Sequence, residues 1–299
     1  MEQILKSYIE HICGKESVAE NVPLSTKTTF KIGGPARWFV TVPTKQALMR
    51  LISALNYIEQ PWFIIGAGAN VLASDEGYNG VVIKLGFRDI IDNGCFIYAD
   101  AGANLKRLCN FAREQSLSGL EFATGIPGTV GGAVYMNAGA HGGQISDVVA
   151  MADVLVDGDI KTLDARQLGL NYRKSIFQRK RNWIILGAYF YLKKSDKTEI
   201  ITKEHNNLMK RLESQPTLPS AGSVFKRPSQ DFAVGKAVDE LGLKGTKIGG
   251  AQISDIHAGF IVNTGGATCK DVLELVKLVR SKIRQSHNIY LQTEIQILE

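Results

Sequence analysis

Two glycine-rich segments of the sequence could hold a phosphorylated ligand. The turn Gly66-Ala-Gly-Ala-Asn70 follows the apolar run Trp62–Ile65, and glycines after a strand let backbone N–H groups approach an anion closely. The turn has neither the Rossmann nor the Walker spacing, and its residues alone leave a plain tight turn equally open. The second segment, Gly125–Gly139, has five glycines in fifteen uncharged positions. This density favours close backbone approach to a flat or phosphorylated group over a buried turn.

Cationic and hydroxyl side chains are grouped in two further places. The run Asn171-Tyr-Arg-Lys-Ser175 places two cations beside an aromatic ring, for which a surface patch is the ordinary explanation. The segment Pro219–Pro228 combines Ser223 with Lys226 and Arg227. These groups could bind a phosphate or carboxylate, or form only a charged loop. No G-x-S-x-G elbow surrounds Ser223, which argues against a serine hydrolase.

A carboxylate near the C-terminus is a weak candidate by itself. The segment 288–298 has the period-two pattern of a strand, with Glu294 on its polar face. A carboxylate in that position is normally solvated. The apolar face is expected to consist of Leu291, Ile295 and Ile297.

Composition excludes several classes of protein. The 299 residues suggest about two domains, and 44% apolar against 21% charged residues exclude a disordered chain. The net charge of +6 is not gathered into a basic stripe or tail, so we expect no nucleic-acid partner. The dispersed cysteines have no metal-ligand spacing and predict buried thiols in a reducing compartment, not a metal site. They are Cys13, Cys95, Cys109 and Cys269.

A cytoplasmic protein without a membrane segment is expected. The uncharged stretch Phe122–Ser146 has 25 residues, nominally enough to span a bilayer. Seven of them are glycine, which favours a buried or ligand-lining loop. The first sixteen residues carry charges where a signal peptide would be apolar.

Hydrophobic periodicity predicts mixed helices and strands without a regular βαβ rhythm, which is the α+β class. Asn104 is expected to cap a helix, and Thr268 to begin another with a capping box. Two prolines within 215–220 indicate a domain boundary near 195–218. The other predicted helices are 1–14, 44–58 and 198–212, and the predicted strands are 62–65, 80–84, 96–100 and 183–192.

Taken together, these segments resemble one family, the MurB flavoenzymes, which are UDP-N-acetylenolpyruvoylglucosamine reductases of peptidoglycan precursor synthesis. The matching motifs follow in order over about 270 residues, and five or more long motifs in order are highly specific. The motifs are Asn21–Ala36, Gly66–Asn70 with Asp75 and Gly77, Gly125–Gly139, Tyr172-Arg173, Ser220–Lys226, Gly242–Gln252 and His257–Asn263.

The resemblance implies an FAD-binding domain of the PCMH type (vanillyl-alcohol-oxidase-like), followed by a smaller α+β substrate-binding domain. The first would lie within residues 1–195, from about residue 28, and the second would comprise residues 196–299. Two residues depart from the commoner pattern, since Ala69 replaces a serine and Thr129 keeps a hydroxyl in place of one. The short connection after Trp183–Leu192 resembles the subclass that lacks an inserted tyrosine loop.

The resemblance also implies an activity: FAD- and NADPH-dependent reduction of UDP-N-acetylglucosamine enolpyruvate to UDP-N-acetylmuramate. Arg173 would bind the enolpyruvyl carboxylate, Ser223 would donate a proton, and Glu294 would act as a protonated catalytic glutamate. The residues implied to bind the cofactor are Gly66, Ala67, Gly68, Ala69, Asn70, Gly125, Ile126, Pro127, Gly128, Thr129, Gly131, Gly132, Asn137 and Gly139. Those implied to bind the substrate are Tyr172, Lys226, Arg227, Gln252 and Asn263.

Two alternatives stay open at this point. A sugar or lactone oxidase on the same FAD-binding scaffold would turn over a simple sugar with oxygen. A non-catalytic flavin- or nucleotide-binding module would not need Arg173, Ser223 and Glu294 together. In each case we expect a small-molecule ligand and no obligatory protein partner.

Overall fold

The computed structural model describes residues 2–94 and 96–299, which form two compact units. Each unit is assembled from separate stretches of the chain, and each has its own hydrophobic core. The first unit comprises Met1–Ala19, Trp38–Gly66 and Gly80–Arg211, and the second comprises Glu20–Arg37, Ala67–Asn79 and Leu212–Glu299.

Helices and strands alternate irregularly along the chain. The helices are α1 (Glu2–Cys13), α2 (Lys45–Tyr57), α3 (Leu105–Glu114), α4 (Val130–Met136), α5 (Lys197–Ser214), α6 (Val234–Glu240) and α7 (Cys269–His287). The strands are β1 (Val18–Pro23), β2 (Pro35–Val42), β3 (Trp62–Ile65), β4 (Val71–Ala73), β5 (Tyr78–Leu85), β6 (Ile90–Asn93), β7 (Phe96–Asp100), β8 (Leu117–Ser118), β9 (Gly139–Ala140), β10 (Gly143–Gln144), β11 (Val149–Val156), β12 (Asp159–Asp164), β13 (Ile184–Tyr191), β14 (Lys193–Lys194), β15 (Ser220–Ser223), β16 (Lys247–Ile248), β17 (Ala251–Ile253), β18 (Phe260–Asn263) and β19 (Gln296–Leu298).

The first unit is built on a five-stranded antiparallel sheet in the order β12-β11-β13-β7-β6. The central strands β11 and β13 are largely apolar. Ala152 of β11 pairs with Ala188 of β13, and both side chains are buried in the core. Strands β3 and β5 pair in parallel, with Trp62 opposite Val81, in a sheet of order β1-β2-β5-β3. Thr44 caps α2 by accepting the Ala47 N–H at 3.1 Å, and this helix buries one apolar face.

The second unit combines a four-stranded antiparallel sheet, in the order β15-β18-β17-β16, with helix α7. A capping box starts α7, because Thr268 Oγ1 accepts the Asp271 N–H and Asp271 accepts the Thr268 N–H, each at 3.0 Å. Strands β19 and β4 pair in parallel, with Gln296 opposite Val71. The segment that contains the first glycine turn is thereby joined to the C-terminal strand of the same unit.

The predicted helices and their caps are confirmed, but two local predictions are wrong. Only Gln296–Leu298 is a strand, and Ile297 is 41% exposed whereas Leu298 is buried. The parallel pairing of β19 with β4 decides which side chains are buried at this end of the chain. The alternation of buried and exposed side chains expected over 288–298 therefore does not continue to Ile297. The uncharged stretch Phe122–Ser146 is not all loop, because it contains α4 and the β9–β10 hairpin.

Three of the four cysteines are buried free thiols, as predicted: Cys13, Cys109 and Cys269. Cys95 lies outside the described residues. Within residues 2–94 and 96–299, none of the helices is both long and apolar enough to cross a bilayer.

Asp75 anchors the start of α7. Its carboxylate accepts the backbone N–H groups of Cys269 at 2.7 Å and Lys270 at 3.1 Å. These are among the N–H groups that a helix leaves without intrahelical partners, and the negative charge also suits the helix dipole.

We therefore expect Asp75→Ala to lower the free energy of unfolding by about 1–2 kcal/mol, measured by urea denaturation. The neighbouring exposed Glu76 provides the matched control, and Glu76→Ala should change stability by less than about 0.5 kcal/mol. Equal effects of the two substitutions would contradict the anchoring role.

The buried thiols should resist alkylation in the native protein. Burial raises the pKa of Cys13 and of Cys269 to about 11 and that of Cys109 to about 12. Only the thiolate is nucleophilic, so at pH 8 these groups stay protonated, and labelling should increase only as the pH approaches those values. Peptide mapping after iodoacetamide treatment measures this, with denatured protein as the reference. Native labelling at the denatured rate would refute it.

Candidate active site

Within the first unit, the end of β3 meets the second predicted flavin segment. A methyl group at Gly66 would lie 2.7 Å from Thr129 Oγ1, so only glycine allows this approach. Thr129 caps α4, since its Oγ1 accepts the Gly132 N–H at 3.3 Å. The structure therefore brings together residues from the two segments that the sequence predicted to hold a flavin nucleotide.

The α4 segment is fixed against the sheet by its first turn. The N–H groups of Val130 and Gly131 donate to the carbonyls of Ala103 and Ala101, each at 2.9 Å. The side of the segment around Gly128 is open, because a methyl group there would meet no atom within 4 Å. The other predicted cofactor residues of this segment, Ile126, Pro127 and Gly132, are partly or fully exposed.

Asn137 ends α4 in the left-handed conformation, with φ of 42°, and is fully buried. Its Nδ2 donates to Gln144 Oε1 at 3.2 Å, Ser146 Oγ at 3.3 Å and the Asn171 carbonyl at 3.0 Å. Its Oδ1 accepts the Ser146 N–H at 2.8 Å. Cofactor binding by Asn137 stays a prediction, and the structure gives its side chain an internal role.

Arg173 is held against the end of the same segment. Its Nη2 donates to the carbonyl of Gly139 at 2.8 Å and its Nη1 to that of Asn137 at 3.4 Å. The guanidinium carbon lies 5.3 Å from the ring centre of Tyr172, and Arg173 itself has a φ of 50°. A non-glycine residue in this conformation is uncommon, and it indicates a side chain held in place by its surroundings.

In the second unit, the turn 67–70 packs on the segment that contains Lys27 and Thr28. Gly68 has a φ of 65°, and a methyl group there would lie 2.2 Å from the Lys27 carbonyl oxygen and 2.8 Å from Thr28 Cα. No side chain fits, which explains the second glycine of the turn. Ala67 and Ala69 on either side are partly exposed.

Asn70 joins this turn to the segment that carries Glu294. Its Nδ2 donates to the Glu294 carbonyl at 3.1 Å, and its own carbonyl accepts the Gln296 N–H at 2.8 Å. The Glu294 N–H donates to the carbonyl of Val224 at 2.7 Å. Since Val224 directly follows Ser223, the predicted proton donor and the predicted catalytic glutamate lie on neighbouring backbone segments.

The predicted substrate residues of this unit divide into two groups. Asn263 is buried and organises backbone, because its Nδ2 donates to Phe30 O at 3.1 Å and its Oδ1 accepts the Gly265 N–H at 2.9 Å. Gln252 donates to Asp255 Oδ2 at 2.8 Å. Substrate binding by these two residues stays a prediction, and the structure gives each an additional internal contact.

The second group is cationic. The Lys226 N–H donates to the Gln292 carbonyl at 2.9 Å, which places Lys226 beside the Glu294 segment.

Burial lowers the pKa of His257, and the positive charges of Lys244 and Arg227 lower it further. A neutral His257 can accept the Gly259 N–H at Nδ1, as observed at 3.0 Å.

The residues of the second flavin segment fit a flavin nucleotide. The segment Phe122–Ser146 has no Asp, Glu, Lys or Arg side chain, and the space beside Gly128 is open. In the described part of the chain, Thr124 Oγ1 is a buried polar atom without a hydrogen-bond partner, and it directly precedes Gly125. A buried hydroxyl without a partner costs free energy, which a bound ligand would relieve.

Comparison with known proteins agrees with this geometry. Residues 36–164 match an FAD binding domain, and residues 214–298 match the UDP-N-acetylenolpyruvoylglucosamine reductase C-terminal domain. The chain is 49% identical to the UDP-N-acetylenolpyruvoylglucosamine reductase of Pseudothermotoga lettingae, covering 92% of this chain and 95% of that protein. It is 42% identical to the Bacillus pumilus reductase, covering 100% and 99%. The chain belongs to the UDP-N-acetylenolpyruvoylglucosamine reductase family.

A solved member of the reductase family has the same fold. The crystal structure of UDP-N-acetylenolpyruvylglucosamine reductase (MurB) from Thermus caldophilus matches with a TM-score of 0.82 and 37% identity, covering 94% of this chain and 98% of that one. The predicted family is confirmed, as is an α+β fold with an FAD-binding domain followed by a C-terminal reductase domain. The predictions of an oxidoreductase and of FAD as cofactor are confirmed as well.

Two polar groups at the predicted second flavin segment are not indicated by any motif of the sequence. Thr124 adjoins Gly125 but does not belong to the predicted set. Arg211 packs on Gly125, with its Cδ 3.0 Å from the position of a methyl group there. Arg211 is 86 positions further along the chain, and no motif surrounds it.

The internal role of Asn137 generates a stability prediction. Asn137→Ala removes the partners of several buried polar groups and places alanine at a positive φ, so we expect a loss on the order of 2–4 kcal/mol in urea denaturation. The exposed Asn182, whose Nδ2 donates to Asp157 Oδ1, supplies the control. Asn182→Ala should cost less than about 1 kcal/mol. A loss at Asn137 no larger than the control's would count against the role.

Proposed function

We propose that the protein reduces UDP-N-acetylglucosamine enolpyruvate to UDP-N-acetylmuramate with FAD and NADPH, a step of peptidoglycan precursor synthesis. Full-length similarity to the reductases carries this proposal. The joining of the Ser223 and Glu294 segments through the 2.7 Å bond between Glu294 N–H and Val224 O supports it. Similarity to the FAD binding domain over 36–164 and to the C-terminal domain over 214–298 supports assigning FAD to residues 1–195 and the substrate to 196–299.

The Gly66–Asn70 turn and the Gly125–Gly139 segment would hold FAD, whose chemistry when bound would be hydride transfer from NADPH to the β-carbon of the enolpyruvyl group. Arg173 would bind the substrate carboxylate, on which negative charge grows as the hydride arrives. A permanently charged fork of donors suits that oxyanion. The hydrogen bonds of Arg173 to the Gly139 and Asn137 carbonyls support a preset orientation, which removes part of the cost of ordering a long side chain.

Ser223 would complete the reduction by giving a proton to the α-carbon. A hydroxyl is a weak acid, but an enolate is a strong base, so the transfer is feasible when the groups are aligned. Glu294 would be protonated and would donate a hydrogen bond to the substrate, because an ionised carboxylate would repel the growing negative charge. Lys226 and Arg227 would neutralise the diphosphate.

A cytoplasmic location, with no partner beyond these small molecules, completes the proposal. NADPH and nucleotide sugars are available in that compartment. The buried free thiols of Cys13, Cys109 and Cys269 are compatible with its reducing environment.

The activity is tested by product analysis. Purified holoenzyme, NADPH and UDP-N-acetylglucosamine enolpyruvate should yield a product heavier by two hydrogen atoms, detected by mass spectrometry. In deuterated water one deuterium should appear on the α-carbon. Oxygen-dependent turnover of a simple sugar, without this product, would favour the oxidase alternative and refute the proposal.

The proton-donor role predicts a separation of the two half-reactions. Ser223→Ala should slow oxidation of the reduced enzyme by the enolpyruvyl substrate by about 10²–10⁴-fold, the usual contribution of general acid catalysis. Reduction by NADPH should be nearly normal. Stopped-flow flavin absorbance measures both steps, and the exposed Ser229 provides a Ser229→Ala control that should match the parent enzyme. Equal loss in both half-reactions would contradict the assignment.

A further inference from the structure

Hydrogen-bond donors without acceptors are concentrated around Gly125. The Thr124 hydroxyl is buried and has no partner among the described residues. The adjoining Gly125 N–H, in a turn with φ of 78°, likewise donates to no described residue. A buried hydroxyl in this state costs about 1–3 kcal/mol, so native proteins seldom keep one without a reason.

Arg211 adds a cation to the same place. Its Cδ packs 3.0 Å from the Cβ position of Gly125, and the side chain is half-buried. In the described part of the chain, the guanidinium has no ion pair and no hydrogen bond to an acceptor. Burial lowers the pKa of Arg211, which is the signature of a charge that has lost water without gaining an anion.

The surroundings are positive rather than acidic. Burial and the charges of Arg211 and Lys210 lower the pKa of His141. The carboxylate nearest to Thr124 along the chain, Glu121, is already bound by the Ser118 hydroxyl at 2.6 Å and the Gly119 N–H at 2.7 Å. Phe122–Ser146 contributes no charge of either sign. Among the described residues no carboxylate pairs with Arg211, so a ligand can supply the anion.

We propose that Thr124, the Gly125 N–H and Arg211 form a binding site for a phosphate group of a nucleotide used by the enzyme. A hydroxyl, a glycine N–H and a guanidinium fork together match the several acceptor oxygens of a phosphate. The inference rests on the proposed function for the choice of nucleotides, which are FAD, NADPH and the UDP-sugar. It adds Thr124 and Arg211 to the residues that the sequence indicated.

The test measures binding by the full-length holoenzyme, without turnover. Three ligands separate the possible sources of the phosphate: FAD, through its release followed by flavin fluorescence; 2′-phospho-ADP-ribose, compared with ADP-ribose by calorimetry; and UDP. The variants are Arg211→Met and Thr124→Val, with Arg211→Lys and Thr124→Ser as conservative versions. Arg166 and Thr202 are exposed residues of the same unit, so Arg166→Met and Thr202→Val control for loss of charge and of hydroxyl.

Arg211→Met should lower the binding affinity for one of the three ligands by at least about tenfold. Thr124→Val should lower the affinity for the same ligand by about threefold or more. Arg211→Lys should fall between, whereas Thr124→Ser and both controls should stay within about twofold of the parent. Thr124→Val should not lower the melting temperature, because its hydroxyl has no protein partner to lose.

Three other results would contradict the proposed phosphate site. These are unchanged affinity for all three ligands in Arg211→Met, effects of the two positions on different ligands, or destabilisation by Thr124→Val without loss of affinity. If Arg211→Met prevents folding, the intermediate loss in Arg211→Lys replaces it, and if Thr124→Val prevents folding, Thr124→Ala removes the same hydroxyl and replaces it. Binding is scored whether or not the enolpyruvyl substrate is reduced, so failure of this site and failure of the proposed function are distinguishable.

Discussion

In the second unit, the side-chain amide of Asn70 holds the first glycine turn against the segment that carries Glu294, because it donates to the Glu294 carbonyl at 3.1 Å. The same residue accepts the Gln296 N–H, where the parallel β4–β19 pairing begins. The Glu294 N–H then bonds to Val224, beside Ser223. The Asn70 amide and these backbone hydrogen bonds thus join three segments that lie far apart in sequence: the first glycine turn, the Glu294 segment and the Ser223 segment. A residue that bonds through both its side-chain amide and its backbone carbonyl can hold together segments that form little sheet of their own.

In the first unit, too, a side-chain amide connects separate backbone segments. Asn137 is buried at the end of α4, where its side chain bonds to neighbouring loops and its carbonyl receives Arg173. Each of these hydrogen bonds contributes little net free energy, but loss of the Asn137 side chain would leave several buried polar groups without partners. In both units, then, a side-chain amide, half-buried at Asn70 and fully buried at Asn137, holds backbone beside residues with predicted roles.

Much of this was predictable from local sequence. Asn104 and Thr268 predict helix starts that the structure confirms, because capping is a short-range effect. The positions of Ile297, Asn263 and Arg211 were not predictable. Each depends on partners distant in the chain: β4 resets the register at Ile297, Asn263 bonds to Phe30, and Arg211 packs on Gly125. Periodicity and motifs do not encode such long-range contacts, and a family resemblance transfers roles only to residues within its motifs.

We propose that one chain carries a flavin through two half-reactions, with the proton supplied in the second. Anaerobic flavin absorbance follows both half-reactions in one experiment. The purified protein should be yellow, lose its colour with one equivalent of NADPH, and regain it when UDP-N-acetylglucosamine enolpyruvate is added, at a rate that falls in Ser223→Ala. A protein that takes up no FAD, or a reduced enzyme that this substrate does not reoxidise, would contradict the account.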